Sequence, residues 1–568
     1  MDQRGIGRDE LRAVVAELIG AEPGVVSMDA DLFQLGLESI VLMRLVGRFR
    51  KQGSTVTFAQ LAAQPNISAW SELIGGSAES SSRNPERQST LVEPDTSEFD
   101  LALLQHAYWI GRSAEQRFGG VAPHLYTEFD GEAVDPDRLR AALDAVAQRH
   151  EMLRARISDN GQQRIEPTSG WRGLTVHDLR SESDPTDRLE ETRLRLTHQM
   201  LDIEAGEMFS ADLSLLPNGR TRLHLDIDMI AGDAVSFRIL VADLARAYDG
   251  DPLRAIEYSY SRYLADRPLD RRSARAQAER YWSERLDSLP GAPTLPLLEH
   301  DSGAPVALRR AFHLDSAAYG DLQTHARAHG VTPAVAVATA FAEVIGAWSR
   351  EQRFLLNVPM FDRAPTHPDV ENLIGDFSSS VMLEVDLSEP LSFVERSRRI
   401  RSRLHEDASH ADYSGVEVLR DLGRRRGEPV LAPVVFTSAL GLGELFDARA
   451  RQVFGDPVWI MSQGPQVVLD AQITELDGGV LVNWDIRENE FLPGVPDAMF
   501  DAFETLVRAL VVDGDSVWAE PVGQLVPPRQ LMSRTPAADV PRRDAAQSAG
   551  NETLHRAFFD RASQHPDA

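Results

Sequence analysis

Two short strings hold the residues best placed to do chemistry. The first runs Asp31-Leu-Phe-Gln-Leu-Gly36-Leu37-Glu38-Ser39-Ile40. Ser39 stands where a loop gives way to an apolar stripe of Leu42, Leu45, Val46 and Phe49, and so opens a helix. Free N–H groups and the positive end of the helix dipole gather there, and taken alone the residue reads as a plain serine cap. The second string is His224-Leu-Asp226-Ile-Asp228-Met-Ile-Ala-Gly-Asp233-Ala-Val-Ser236. His224, Asp226 and Asp228 alternate on one strand face, and Asp233 falls in the turn before a helix. Calcium would ask for a downstream glutamate and a differently placed glycine. The plain reading is a polar strand edge with Asp233 as helix cap.

The elements around these strings divide the chain. Its 568 residues exceed one core. Residues 76–97 and 527–551 lack an apolar period and are rich in Ser, Pro, Ala and charge, so both read as linkers. They leave a small module at 5–75, a large one at 98–526 and a stub at 552–568. In the small module Leu11, Val14, Val15, Leu18 and Ile19 form one helical stripe. The stripe after Ser39 is a second, and segments 57–63 and 68–74 complete a four-helix bundle. The large module alternates strands (124–130, 223–230, 353–360, 380–387, 434–438) with helices, among them 137–149 and one opened by Thr332-Pro333. Residues 466–476 and 479–487 form a hairpin across Asp477-Gly478-Gly479. An α/β module of this size implies two lobes, about 98–270 and 271–526.

Composition narrows the class. The net charge of −28 argues against nucleic-acid and anionic-membrane partners. With no cysteine there are no disulfides, thiolate metal sites or cysteine nucleophiles. No stretch approaches a membrane span and no signal segment opens the chain, so the cytoplasm is the expected location.

Gly36-Leu37-Glu38-Ser39 resembles the attachment loop of acyl and peptidyl carrier domains, and over residues 8–75 the chain is similar to that family. Many peptidyl carriers have His or Asp before the serine; Glu38 is closer to aryl carriers of siderophore assembly lines. Asp228-x4-Asp233-x2-Ser236 resembles the DxxxxDxxS signature of nonribosomal peptide synthetase heterocyclization domains. His106-Ala-Tyr108-Trp109-Ile-Gly111-Arg112, Arg149-His150-Glu-Met-Leu-Arg154, Asn357-Val-Pro359-Met-Phe361-Asp-Arg363, Gly375-Asp376-Phe377-Ser378, Val435-Phe436-Thr437-Ser438 and Pro465-Gln466-Val-Val468-Leu-Asp470 follow in the family's order. The stub resembles the start of an adenylation domain, and Met1 opening on the first helix suits a loading module.

The resemblance implies a carrier bundle bearing 4′-phosphopantetheine on Ser39, then a V-shaped pair of α/β lobes like chloramphenicol acetyltransferase. It implies an enzyme that joins a carrier-bound acyl group to carrier-bound Cys, Ser or Thr and closes a thiazoline or oxazoline. Asp470 and Thr437 are the implied catalytic pair, with Gln466 orienting Asp470 or substrate. Without the family, both would read as ordinary strand residues. Asp233 is implied to pair with an arginine, Arg363 or Arg154; Asp228 and Ser236 are structural or line the substrate tunnel. The implied partners are a phosphopantetheinyl transferase, a separate aryl-acid adenylating ligase, and downstream adenylation and carrier domains. Gly464 and Val468 stand where the family commonly has Thr and Trp. They keep open an enzyme that forms only the amide; an inactive docking scaffold is the third reading.

Overall fold

The computed structural model describes residues 7–77 apart from 20, 39–40, 43–44, 47, 50–53, 55 and 57, together with 98–298, 303–512 and 514–530. Ser39, positions 78–97 and all positions from 531 onward, the expected stub included, lie outside the described residues.

In the small domain α1 (Arg8–Leu18), α2 (Phe58–Ala63) and α3 (Ile67–Ser77) close with Val41, Leu42, Leu45, Val46 and Phe49 on one core. Leu11, Val15, Leu32, Phe33, Leu37, Leu42, Phe49 and Trp70 fill it, and Trp70 Nε1 donates to Leu61 O at 2.8 Å. Leu18, expected on the buried stripe, is 41% exposed. The helix ends there, and the capping residue Ile19 turns inward instead.

The large domain has two lobes, each a sheet covered by helices. After α4 (Leu103–Gly111), the N-lobe contains β1 (His124–Glu132), α5 (Pro136–Arg149), β2 (Thr175–Asp178), α6 (Thr186–Thr197), β3 (Phe209–Leu215), β4 (Arg220–Asp228) and α7 (Ala234–Asp249). Asp135 caps α5 by accepting from the Asp137 and Arg138 N–H groups, Pro136 takes the first turn, and Leu139, Ala142, Leu143 and Val146 face the core. The long α8 (Tyr260–Arg285) leads into the C-lobe.

The C-lobe comprises β5 (Ala307–Leu314), α9 (Ser316–Ala328), α10 (Pro333–Trp348), β6 (Arg353–Phe361), β7 (Ser378–Asp386), α11 (Phe393–Ala408), α12 (Gly415–Arg426) and β8 (Val434–Ser438). After α13 (Ala448–Phe454) come β9 (Asp456–Gln463), β10 (Leu469–Leu476), β11 (Gly479–Arg487) and α14 (Val495–Val512). Its six strands run in the order β7-β6-β8-β10-β11-β5. Thr332 caps α10 and Pro333 begins it, as the sequence implies. That helix is apolar almost all round because it is buried almost all round. No single described helix is long and apolar enough to cross a membrane.

The lobes are not contiguous in sequence. Strand β9 leaves the C-lobe and pairs antiparallel with β1, making the N-lobe sheet β9-β1-β4-β3-β2. A division at about residue 270 therefore does not describe the sheets. Gly455 permits the crossing: its φ is +91°, and a Cβ there would lie 1.7 Å from Asp130 O. Residues 364–377, between β6 and β7, also cross and bury Ala364, Val370, Leu373, Ile374 and Phe377 in the N-lobe core.

Candidate active site

The C-lobe half of the site is set by strand alternation. Along β10, Leu469, Ala471 and Ile473 enter the core, which leaves Asp470 and Gln472 half-buried on the opposite face. Parallel β8 brings Thr437 beside Gln472, and the β10–β11 hairpin sets Asp485 directly across from Asp470. Thr437 donates from Oγ1 to Asp470 Oδ1 at 3.1 Å, and Gln472 donates from Nε2 to Oδ2 at 2.6 Å. Two carboxyls facing each other across a ladder repel. Arg309 relieves this by clamping Asp485 with two hydrogen bonds of 2.6 Å. Burial, and then the charge of Asp485, push Asp470 up to about 7 against the hydrogen bonds of Gln472 and Thr437. A carboxyl so poised exists in both proton-giving and proton-taking forms at neutral pH.

The N-lobe half lies on β4. Asp228 is fully buried, pairs with Arg112 and accepts from Ile230 N at 3.0 Å. Burial raises its pKa against the pull of Arg112. Asp226 accepts the His124 ring at 2.9 Å. Burial works against that histidine's charge, but the Asp226 carboxylate outweighs it and holds His124 above the usual histidine range. Neighbouring His224 bonds Tyr126 OH at 2.8 Å, and burial presses it down to about 4.

Asp233 joins the halves. It caps α7 by accepting from Ser236 N at 2.7 Å, and it accepts from Phe377 N and from Arg363 Nη2, each at 3.2 Å. Arg363 also donates to Ser236 Oγ at 3.0 Å, and Ser236 Oγ donates to Gly375 O at 2.8 Å. Of the two arginines the sequence left open, the partner is Arg363. Arg154 instead donates to Glu166 O. Asp233 and Ser236 thus fasten the crossing segment to the N-lobe.

Asp376 in that segment is 3% exposed, and burial, then Asp233, push it up to about 7. Tyr108 on α4 is raised well above its ordinary value by burial and by the charges of Asp376, Asp470, Asp233 and Asp228 together. Tyr108 thus lies within electrostatic reach of carboxyls from both lobes.

Gln466, implied to orient Asp470 or substrate, sits in a left-handed turn (φ +62°) and donates its backbone N–H to Phe118 O at 2.7 Å. The amide that reaches Asp470 belongs to Gln472. Gln472, Asp485 and Arg309 were missed by sequence reasoning, although a two-residue turn at Asp477-Gly478 already implies the register that pairs 470 with 485.

Ser39 lies outside the described residues, but its frame suits a phosphate-linked arm. Gly36 takes φ +100°, Leu37 is buried, and Leu42 N donates to Glu38 O at 3.1 Å, the spacing of a first helical turn. Arg327 supplies a nearby cation, with Nε 3.5 Å from where a Cβ on Gly36 would lie.

Residues 9–74 match the phosphopantetheine attachment site family, and residues 100–522 match the condensation domain family. The chain is 45% identical to the phenyloxazoline synthase MbtB of Mycobacterium sp. (strain MCS), covering 98% of this chain and 48% of that protein. It is 38% identical to the pyochelin synthetase PchE of Pseudomonas aeruginosa (strain UCBPP-PA14), covering 100% of this chain and 39% of that protein. The chain thus spans less than half the length of these curated relatives. Among solved structures, the cyclization-docking bidomain of the nonribosomal peptide synthetase EpoB from Sorangium cellulosum superposes with a TM-score of 0.67 at 32% identity, over 76% of this chain and 89% of that one. The chain belongs to the condensation-domain family, as a phosphopantetheine carrier domain followed by a heterocyclization domain of the nonribosomal peptide synthetase type.

Proposed function

We propose that the chain accepts an aryl acyl group such as salicylate or dihydroxybenzoate, joins it to a carrier-bound Ser, Thr or Cys, and closes the product to an oxazoline or thiazoline in siderophore assembly. The observation that carries this reading is Asp470, held near neutrality between the Thr437 hydroxyl and the Gln472 amide. The phosphopantetheine arm on Ser39 supplies the thiol that presents the acyl group as a thioester. The acceptor amine attacks that carbonyl and the C–S bond breaks, giving an amide. The acceptor's side-chain oxygen or sulfur then adds to the amide carbon, the C=O π bond opens, and the nucleophile's proton passes to the carbonyl oxygen.

Ring closure leaves a hydroxyl that must depart as water and a ring N–H that must be lost as the C=N bond forms. Asp470 gives its proton to the departing hydroxyl, and the resulting carboxylate takes the proton from nitrogen, so it ends as it began. Thr437 and Gln472 hold both carboxyl oxygens in place through the exchange. Gln466, Asp228, Asp233, Ser236 and Arg363 shape the surrounding space, and Arg154 lies apart from it.

The name of the phenyloxazoline synthase supports an aryl donor and a hydroxyl acceptor. The amide-only alternative rests on Gly464 and Val468. Val468 packs in the C-lobe core, and a Cβ on Gly464 would meet only Val467 at 3.6 Å. A phosphopantetheinyl transferase, a separate adenylating ligase, and downstream adenylation and carrier domains are the partners of this scheme, with the cytoplasm as its setting.

The test uses the pantetheinylated chain loaded with salicylate and given acceptor carriers bearing Ser, Thr or Cys in turn. The expected result is an acylated acceptor lighter by one water with Ser or Thr. Acyl transfer without water loss from any acceptor would replace this reading with the amide-only one.

A further inference from the structure

The carrier domain meets the C-lobe through the loop that leads to its attachment serine. The ring of Phe33 lies 4.1 Å from that of His405 on α11, and Arg327 of α9 donates from Nη2 to Ile19 O at 3.2 Å. Arg401 on α11 is within electrostatic reach of Asp31. The side chain of Gln34 packs on Gly330, 3.4 Å from where a Cβ there would stand.

Glu38 lies at the centre of this contact. Its Oε1 accepts from Ala334 N at 3.3 Å, and the Thr332 side chain hydrogen-bonds it as well. The start of α10 explains the pairing. Pro333 has no N–H, and Val335 N–H is taken by Thr332 Oγ1, which leaves the Ala334 N–H to be satisfied from outside the helix. The carrier supplies that acceptor.

The contact also lies near the strand that carries the site: Glu38 senses the charge of Glu475, and Glu475 is five residues along β10 from Asp470.

We propose that Glu38 is a docking key: a side-chain oxygen of glutamate reach, placed just before the attachment serine and read by Thr332 and the Ala334 amide, seats this carrier on the C-lobe and discriminates against carriers with a shorter or different residue there. The interaction needs an acceptor rather than a charge. Burial pushes Glu38 up to about 7, with the Glu475 carboxyl and the Tyr319 ring nearby, so a neutral amide of the same length serves. Asp falls about 1.5 Å short of the Ala334 amide, and Ala offers nothing.

The absence of cysteine from the chain gives a direct test. Gln34 Cβ lies 3.8 Å from the Cβ position at Gly330, the usual separation in a disulfide. In the full pantetheinylated chain carrying Q34C and G330C, with the pantetheine thiol acylated and oxidised glutathione added to take the two electrons and be reduced to two glutathione thiols, the rate of disulfide closure reads the seated population. Closure is expected in this parent and with E38Q added. E38A and E38D are expected to slow it about five- to tenfold, the cost of one lost buried acceptor. Thermal melting of each variant separates unseating from unfolding. Parental closure in E38A, or E38Q slowing together with E38A, would overturn the proposal. A parent that does not close would overturn the seat itself. Because closure is read without ring chemistry, this outcome is independent of whether Asp470 dehydrates the product.

Discussion

Replacing Thr437 with Val removes one hydrogen bond to Asp470 and little else. The two side chains are nearly isosteric, and a strand favours both. The lost bond, 3.1 Å from Oγ1 to Oδ1, favours the ionised carboxyl. Hydrogen bonds to charged groups contribute about 1.5–3 kcal/mol, and each 1.36 kcal/mol moves a titration midpoint by about one pH unit. Asp470 is half-buried, so the lower end applies, and its midpoint should rise from about 7 by roughly one pH unit. Expulsion of water needs the protonated carboxyl. In the parent, ring closure should therefore fall as pH rises through about 7, and in T437V this alkaline limb should move up by about one unit. The assay follows amide and dehydrated ring separately by intact mass of the acceptor carrier between about pH 6 and pH 9, from one unit below the parental midpoint to one unit above the shifted one. An unmoved limb would refute the assignment of Asp470 as the acid. So would amide formation and dehydration falling in parallel, since the Thr437–Asp470 bond is assigned to dehydration alone.

Other perturbations test the same geometry from different sides. D485N removes the facing charge and frees Arg309 beside Asp470, so the alkaline limb of ring closure should move to lower pH, opposite to T437V. Q472L should shift that limb upward as T437V does, whereas Q466L should leave it in place, measured by the same pH profiles. D233A strands Arg363 and the Ser236 and Phe377 amides in the interior and should cost about 3–5 kcal/mol in denaturant unfolding, with R154A costing far less.

Local pattern made much of this fold legible in the sequence. Thr332-Pro333 announced α10, strand 434–438 was read at its observed bounds, and the hairpin register follows from Asp477-Gly478. Pairing between distant segments was not legible. Nothing in residues 456–463 says that they join β1 of the other lobe, because that choice depends on the turn at Gly455 and on which sheet edge is open. The site divided in the same way. Asp470 and Thr437 were named through family motifs, and their contact could not be read from positions 33 residues apart in sequence. Gln466 was named because it lies within the motif, and Gln472 was not, although alternation along β10 puts Gln472 on the same face as Asp470. Arg363 and Arg154 were equivalent as sequence, and only the crossing segment decides between them.

The most direct test is the D470N chain, pantetheinylated, loaded with salicylate and offered a seryl carrier, with both products weighed against the parent. Asn keeps the shape and the acceptor for Thr437 but cannot cycle a proton. The account predicts that the amide accumulates at close to the parental rate, while its dehydrated ring falls by about a hundredfold or more. Ring formation at the parental rate would contradict the account, and so would loss of the amide together with the ring.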